Sequence, residues 1–257
     1  VISAIFLGLS RAFNGAFAAA PSQWQDIASE VPSSGKYNDY TWLSNFPGMK
    51  EWVGKKKNKK LSEYTYILVN KPYEATIAVK RDDIEDDQLG IYSAQAQGAG
   101  HSAKQWPDEL VFTAVNKGFT EKCYDGKTFF ATNHPVGKSG VSNKGTKKLS
   151  AASQEAAAAS YGEARTALMS MKDEDGRPLN VNPNLLLVPP ALEATSNALI
   201  NSDRLDDGKA NLYKGTAKVV VAAWLTSPDA WFLLDTTKPL KPFIYQPRKK
   251  PEFVQQT

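Results

Sequence analysis

Apolar positions spaced by three and four residues predict helices with one buried face in two parts of the chain. In the first, a helix is expected over 88–117, with Gly118 as its C-terminal cap. Pro107 predicts a kink or break in this helix near Trp106. The buried stripe near its end is made of Leu110, Val111, Ala114 and Val115.

A second helix is predicted over 151–171, with Ser150 as its N-terminal cap. Shorter helices are expected over 191–201 and over 11–20, the latter inside an otherwise extended N-terminal arm. The buried stripe of the second helix would consist of Ala157, Tyr161, Ala164, Leu168 and Met171.

Alternation with period two predicts strands elsewhere. It is found in residues 64–79, where the parity changes at residues 70–72 and so predicts a bulge or a turn. Asp125–Gly126 predicts a tight hairpin between aromatic strands. Four further apolar runs predict strands, namely NLLLVPP, AKVVVAAWL, AWFLLD and PFIYQP. Helices and strands together predict the α+β class.

Two placements of the hairpin in residues 46–81 remain open. In the first, residues 70–73 form the tip and Val69 faces Glu74. In the second, the tip is the lysine-rich loop at 55–60, with a rising strand at about 47–53 and a long falling strand at 61–80. A run of like charges is tolerable only where it is solvated or faces opposite charge, which favours the second placement.

Composition and charge exclude few classes of protein. Hydrophobic residues make up 42% and charged residues 23% of the 257 residues, as in ordinary globular proteins. A net charge of +4 is too small to predict a nucleic-acid partner by itself. One cysteine cannot form an intramolecular disulfide, and two histidines leave little room for a multi-histidine metal site. The apolar opening VISAIFLGL is too short to span a bilayer, and no internal repeat is apparent.

Motifs that suggest catalysis or cofactor binding are weak. GAGHSA at 98–103 fits a loose dinucleotide pattern, but it lies inside the predicted helix rather than after a strand. GKT at 126–128 and GKS at 137–139 lack the earlier glycine of a phosphate-binding loop. Cys123 and His134, with a nearby carboxylate, could form a nucleophile and a base in a soluble hydrolase. A small buried cysteine on a hairpin strand is the favoured alternative. No catalytic residue, cofactor or metal site is therefore predicted.

A run of carboxylates follows the predicted falling strand. Its spacing does not match a calcium-binding loop. Acids ahead of a helix complement the unpaired N–H groups and the partial positive charge of its N-terminus. Helix entry is therefore the favoured interpretation, with metal binding or catalysis as the alternative. The residues concerned are Asp82, Asp83, Glu85, Asp86 and Asp87.

Five segments in order resemble the major head subunit of Mu-like phages and prophages. The resemblance extends from about Trp24 to the end of the chain. It implies the tailed-phage capsid fold of the Hong Kong 97 type, with an N-terminal arm, an E-loop hairpin, a peripheral domain with a spine helix, and an axial domain. The segments are YTWLSNFPGMKEWVG at 40–54, NKPYE at 70–74, RDDIEDDQLGIY at 81–92, WPDELV at 106–111 and CYDGKTFFATNHP at 123–135.

The resemblance implies a self-assembling structural protein rather than an enzyme. Hexamers and pentamers would form an icosahedral head around double-stranded DNA. A shell of the encapsulin type is the alternative with the same fold. Expected partners are other copies of the chain, scaffold, portal and decoration proteins, and packaged DNA bound without sequence specificity; no membrane is expected. The implied boundaries are arm 1–45, E-loop 46–81, peripheral domain 82–185, axial domain 186–240 and a return to the peripheral domain at 241–257.

Two groups of residues are candidate contacts between subunits. The first is electrostatic: the lysine loop is expected to lie over an acidic surface of a neighbour, such as its carboxylate run. The second is the apolar arm, which would expose more apolar surface than an isolated arm should. The residues are Lys55, Lys56, Lys57, Lys59 and Lys60 in the loop, and Phe6, Phe13 and Phe17 in the arm.

Overall fold

The computed structural model describes residues 2–40, 66–80, 90–136 and 139–255. Helices and strands are mixed along the chain, which confirms the α+β class. The helices are α1 (Ile2–Ala19), α2 (Trp24–Ile27), α3 (Gly90–Lys117), α4 (Gln154–Ala157), α5 (Glu163–Met169) and α6 (Glu193–Asn201). The strands are β1 (Ala28–Glu30), β2 (Tyr37–Asp39), β3 (Ile67–Val69), β4 (His134–Val136), β5 (Ser139–Val141), β6 (Leu185–Val188), β7 (Lys218–Val221), β8 (Phe232–Leu234) and β9 (Phe243–Tyr245).

The centre of the molecule is a three-stranded sheet in the order β7-β6-β8, where β6 pairs parallel to β7 and antiparallel to β8. All four residues of β6 are buried. Leu185 and Leu187 pack into one core with α3, whereas Leu186 and Val188 pack into a second core with α6. Alternation along one strand thus joins two apolar layers, and the predicted buried strand is confirmed.

Helix α3 runs without interruption through Pro107, so of the predicted kink or break near Trp106 the break is wrong. A proline inside a helix costs about 3 kcal/mol. On its C-terminal side, however, Val111, Phe112 and Val115 are buried in the core. This burial outweighs the local preference and holds the helix together.

Gly118 ends the helix for a different reason from the one predicted. The left-handed glycines of the described chain are Gly126, Gly176, Gly208 and Gly215, and Gly118 is not among them. A Cβ at Gly118 would lie 2.7 Å from the ring of Phe130. Close packing, rather than a left-handed cap, requires glycine here.

The N-terminal segment is more helical than predicted. Helix α1 begins at Ile2 instead of near residue 11, and it packs along α3 of the same chain. A Cβ at Gly100 of α3 would lie 2.2 Å from the carbonyl oxygen of Phe13, so the two backbones meet at this glycine. Farther on, β1 pairs parallel to β9, which attaches the arm to the C-terminal segment.

The predicted helix over 151–171 is shorter and differently capped. Helical structure runs from Gln154 to Met169, with a π-helical turn at Ala158–Gly162 in its middle. Its N-cap is Ser153, not Ser150, because the Ser153 hydroxyl accepts from the N–H of Ala156 at 3.1 Å. Of the predicted stripe, Ala157 and Tyr161 are fully buried, and the three later members are only half-buried.

The tight turn at Asp125–Gly126 is confirmed, with Gly126 at φ 76°. It is closed by a single bridge between Lys122 and Thr128, without the longer aromatic strands that were predicted.

The same turn recurs twice, a short repeat that was missed in the sequence. The three turns span residues 122–128, 172–178 and 204–210, and all share the pattern [KR]-x-x-D-G-[KR]-x. In each turn a β-bridge joins the first and last residues, and the glycine is left-handed.

Candidate functional site

Cys123, Asp125 and His134 lie together beyond the end of α3. The Asp125 carboxylate stands between the other two side chains. Its Oδ1 accepts from Sγ of Cys123 at 3.1 Å and from the backbone N–H of Lys127 at 2.9 Å, while its Oδ2 faces Nδ1 of His134 at 2.5 Å. The turn places the carboxylate, and β4 brings the imidazole to it.

The other edge of the His134 ring also faces acceptors. Nε2 lies 3.0 Å from the carbonyl oxygen of Phe129 and 3.3 Å from Oδ1 of Asn143. The Asn143 amide is oriented by two backbone partners: Nδ2 donates to the Phe129 carbonyl, and Oδ1 accepts from the N–H of Ala131. Hydrogen bonds of this cluster therefore hold the turn at Asp125–Gly126 against β4 and against the loop at Asn143.

The surroundings keep the thiol protonated and the carboxylate charged. Burial, followed by the hydrogen bond to Asp125, raises the pKa of Cys123 to about 11. Burial alone would raise the pKa of Asp125, but the hydrogen bonds from His134, Cys123 and the N–H of Lys127 outweigh it and lower that pKa.

This geometry suits a structural cluster better than a nucleophile or a metal site. A reactive cysteine needs a thiolate, whereas this thiol is a neutral donor to a carboxylate. Two ligands about 2.0–2.2 Å from a tetrahedral zinc are separated by roughly 3.3 Å. Nδ1 of His134 and Oδ2 of Asp125 are only 2.5 Å apart, as in a hydrogen bond.

The raised thiol pKa gives a pH dependence whose sign is defined. A group whose pKa rises on folding contributes stability that is complete below its unfolded pKa and is lost as the pH rises through its folded pKa. For Cys123 this interval runs from 9.0 to about 11. The free energy of unfolding, measured by urea denaturation, should therefore decrease less steeply with pH over this interval in Cys123→Ser than in the wild type. Tyr124→Phe is the control for the neighbouring phenol, and an unchanged alkaline slope in Cys123→Ser would contradict the expectation.

A second candidate site lies where β2 and β3 meet. These strands pair antiparallel, with Tyr37 opposite Val69, and the N–H of Tyr40 donates to the carbonyl of Tyr66 at 2.7 Å. The chain therefore leaves at Tyr40 and returns beside it at Tyr66. Because Val69 pairs with Tyr37, the placement in which Val69 faces Glu74 is wrong. The long falling strand is also shorter than predicted, since residues 71–80 form no strand.

Polar side chains hold this junction to the C-terminal segment. Oε1 of Gln246 accepts from the Tyr40 hydroxyl at 2.7 Å, and Nε2 donates to the Leu68 carbonyl at 3.1 Å and to Oδ1 of Asn70 at 2.7 Å. Nδ2 of Asn70 donates in turn to Oγ of Ser33 at 2.9 Å. Burial raises the pKa of Tyr40, so its hydroxyl remains a donor at neutral pH. We call Ser33, Tyr40, Asn70 and Gln246 the anchor.

The opposite face of this ribbon is exposed and carries three large apolar side chains beside Asp39. Tyr37, Ile67 and Val69 lie on one face by the register of the two strands. Their exposed fractions are 56%, 50% and 50%. Large exposed apolar side chains grouped on one face usually mark a contact surface.

The predicted contact residues of the arm have partners in their own chain. Phe13 is 6% exposed, and its ring lies 5.4 Å from that of Phe253, which also stacks on Phe6. Phe17 stacks on Phe13 and lies under Nζ of Lys104. The contact between subunits was predicted because the apolar side chains of the arm were expected to be exposed in a single subunit. For Phe13 this reason fails, since its side chain is buried within its own chain. A contact between the rest of α1 and a neighbour stays a prediction.

The electrostatic candidates lie outside the described residues. This applies to Lys55, Lys56, Lys57, Lys59 and Lys60 and to Asp82, Asp83, Glu85, Asp86 and Asp87. The residues that the structure adds are Asn70 and Gln246 of the anchor. They were missed because Gln246 and Tyr40 are 206 residues apart and no local pattern links them.

The fold is that of tailed-phage capsid subunits. The solved chain of the bacteriophage JBD30 capsid is 28% identical, with a TM-score of 0.68, and the match covers 81% of this chain and 92% of that one. For the JBD30 procapsid the TM-score is 0.71, again at 28% identity, with 87% and 98% covered. The predicted capsid fold is confirmed.

The chain belongs to the family described as Mu-like prophage major head subunit gpT, which it matches over residues 2–159, 147–225 and 226–257. It is 45% identical over 135 residues to the major capsid protein of Escherichia phage Mu, covering 52% of this chain and 44% of that protein. It is 31% identical over 251 residues to the Mu-like prophage FluMu major head subunit of Haemophilus influenzae, covering 98% and 60%. The chain thus spans about half the length of these relatives, and the resemblance found in the sequence is confirmed.

No helix of the described ranges is both long and apolar enough to cross a bilayer.

Proposed function

We propose that this chain is a major capsid subunit that assembles into the hexamers and pentamers of an icosahedral phage head around double-stranded DNA. The similarity to capsid and procapsid chains over more than nine-tenths of their length carries this proposal. The exposed apolar side chains of Tyr37, Ile67 and Val69 support it, because large apolar side chains grouped on one exposed face usually mark a contact surface. The protein would act in the virion, after assembly in the bacterial cytoplasm, without catalysis.

The domains proposed from the resemblance are the arm at 1–45, the E-loop at 46–81, the peripheral domain at 82–185, the axial domain at 186–240 and the return at 241–257. The pairing of β9 with β1 supports the return, because it brings the C-terminal segment back to the arm. The junction of β2 and β3 supports an E-loop rooted at Tyr40 and Tyr66.

Other copies of the chain are the proposed main partner. One JBD30 capsid is described as decorated with minor capsid protein trimers, which supports a decoration protein here. Scaffold and portal proteins, together with DNA phosphates held without sequence specificity on the inner face, complete the proposed set.

Size-exclusion chromatography with negative-stain electron microscopy tests the proposal. Purified chain, with a co-expressed scaffold protein where one is encoded beside it, should elute as capsomers or shells and show rings or closed particles. A chain that stays monomeric both alone and with the co-expressed scaffold protein would contradict the proposal. A hydrolytic activity that disappears in Cys123→Ser would contradict the absence of catalysis, whereas shell formation should survive this substitution.

We also propose that the lysine loop at 55–60 lies over the carboxylate run at 82–87 of a neighbouring copy. A single exposed ion pair contributes about 0.2–1 kcal/mol and is screened by salt. Repetition over many copies of the chain would nonetheless bias assembly.

Replacing Lys55, Lys56, Lys57 and Lys59 with serine should therefore lower shell yield at low salt and matter less at high salt, scored by light scattering across a salt series. Serine at four lysines outside the loop, Lys122, Lys127, Lys172 and Lys209, is the charge-matched control. Equal losses in the two variants would argue for net charge instead of a local contact.

A further inference from the structure

The orientation of the β2–β3 ribbon relative to the body sets where the two ends of segment 41–65 lie. The residues that flank this segment, Tyr40 and Tyr66, are joined by a backbone hydrogen bond of 2.7 Å. Next to them, β2 and β3 contribute three residue pairs. A two-stranded ribbon is marginally stable by itself. A ribbon this short needs further contacts to keep one orientation.

Gln246 supplies such contacts to both sides of the ribbon. Its amide accepts from the hydroxyl of Tyr40, which follows β2, and donates to the carbonyl of Leu68, within β3. A third hydrogen bond reaches Asn70, just after β3. Amide hydrogen bonds are directional. One planar group with three partners on two strands therefore fixes position and tilt together.

The backbone around Gln246 is itself tied to the body. The N–H of Val31 donates to the Tyr245 carbonyl and the N–H of Ser33 donates to the Pro247 carbonyl, both at 2.9 Å. Strand β9, which ends just before Gln246, places Phe243 in the core beside α3. A continuous path of hydrogen bonds and packing thus leads from the central core through Gln246 to the root of segment 41–65.

We propose that Gln246 is a positioning residue for assembly: it fixes the orientation of the β2–β3 ribbon, and with it the exposed face that carries Tyr37, Ile67 and Val69, towards a neighbouring copy. The inference rests on the proposed function, because this orientation matters only if the ribbon makes contacts between copies. Gln246, Leu68 and Asn70 are partly accessible, whereas Tyr40 is buried, so in a variant water can replace the hydrogen bonds to Leu68 and Asn70 and the fold should survive. What the variant loses is preorganisation, which reduces association without removing any contact.

Gln246→Ala tests the role, with Asn184→Ala as the matched control. Asn184 is a similarly half-buried amide that donates to Oγ1 of Thr236 at 2.9 Å and accepts from its N–H at 2.8 Å, within the central sheet. Both variants should remain folded by circular dichroism and lose a few degrees in Tm. Only Gln246→Ala should reduce the yield of closed shells, by about tenfold. Tyr40→Phe removes one of the three hydrogen bonds and should give an intermediate yield.

A readout on the unassembled subunit separates positioning from stability. Spin labels at Lys36→Cys and Glu193→Cys, in a Cys123→Ser background, report the distance from the ribbon to the body by pulsed electron resonance. Gln246→Ala should broaden this distance distribution, whereas Asn184→Ala should leave it unchanged.

Two results would overturn the proposal: shell yield at the wild-type level in Gln246→Ala, or an unchanged distance distribution. Failure of the wild-type chain to assemble would instead count against the proposed function. The label distances would still show whether Gln246 fixes the orientation of the ribbon.

Discussion

Asp108→Ala is expected to lower the free energy of unfolding by about 1–3 kcal/mol, because it removes a buried carboxylate that accepts hydrogen bonds at the start of α2 and leaves their donors unsatisfied. Asp108 is 3% exposed, in α3. Its Oδ1 accepts three hydrogen bonds, from the hydroxyl of Ser22 at 3.0 Å, the N–H of Gln23 at 2.8 Å and the N–H of Trp24 at 2.6 Å. The first N–H groups of a helix have no partner inside it, so α2 depends on this carboxylate.

Asp108→Asn separates charge from geometry. All three donors reach the same oxygen, so an asparagine amide can present its own Oδ1 in that place. Hydrogen bonds to an ionised acceptor are roughly twice as strong as neutral ones, so the asparagine variant should lose about half as much stability as the alanine variant. Denaturant unfolding followed by tryptophan fluorescence measures both losses, and Trp24 lies beside the site.

Glu109→Ala is the control for removing an acid from this part of α3, and it should change stability by less than about 0.5 kcal/mol. Equal effects of Asp108→Ala and Glu109→Ala would show that the arm does not depend on the cap. Loss of the arm alone should appear as rapid hydrogen exchange in residues 22–30 before global unfolding.

The central sheet and the tight turn were predictable because their signals are local. The run of β6 is apolar at every position, as a strand buried on both faces requires. Gly126 follows an aspartate in the turn, where a left-handed residue is needed. In both cases a few neighbouring residues decide the structure. No distant partner is needed to read them.

Contacts between distant residues account for most of what was missed. Asp108 and Trp24 are 84 residues apart, and the sequence around Pro107 predicted a break where the structure has a cap for another helix. Asp125 was assigned to the turn alone, although its second oxygen also holds His134. One side chain can satisfy a local and a distant requirement at once, and only the local one leaves a pattern.

The length of α1 was underestimated for a related reason. Ile2–Ala19 contains glycines at 8 and 15, which are poor helix formers. Packing against α3 compensates for that preference, with Leu9 and Phe13 buried in the contact.

Gly100→Ala is expected to displace α1 from α3, whereas Gly98→Ala, two positions away in the same helix, should not. The atoms that an added Cβ at position 100 would meet are the backbone O and C of Phe13 and the backbone N of Phe17, at 2.2, 3.0 and 3.1 Å. Backbone atoms cannot rotate aside as a side chain can. The two helices must therefore separate and give up buried contact area.

At Gly98 the same Cβ would meet no atom within 4 Å. Replacing glycine with alanine in a helix interior gains up to about 1 kcal/mol. Gly98→Ala should show this gain. Gly100→Ala should lose about 1–3 kcal/mol from overpacking in spite of the same helical gain. The difference in unfolding free energy between the two variants measures the contact between α1 and α3, because both variants replace glycine with alanine in the same helix.

Limited trypsin digestion gives a readout at the displaced helix. Arg11 lies on the exposed face of α1, and cleavage there requires the helix to open locally. Gly100→Ala should therefore be cut at Arg11 faster than the wild type, with Gly98→Ala at or below the wild-type rate. Equal cleavage in all three proteins would mean that α1 does not lie against α3 in solution. Its apolar face, including Phe6, Phe13 and Phe17, would then be available to a neighbouring subunit, as the sequence alone suggested.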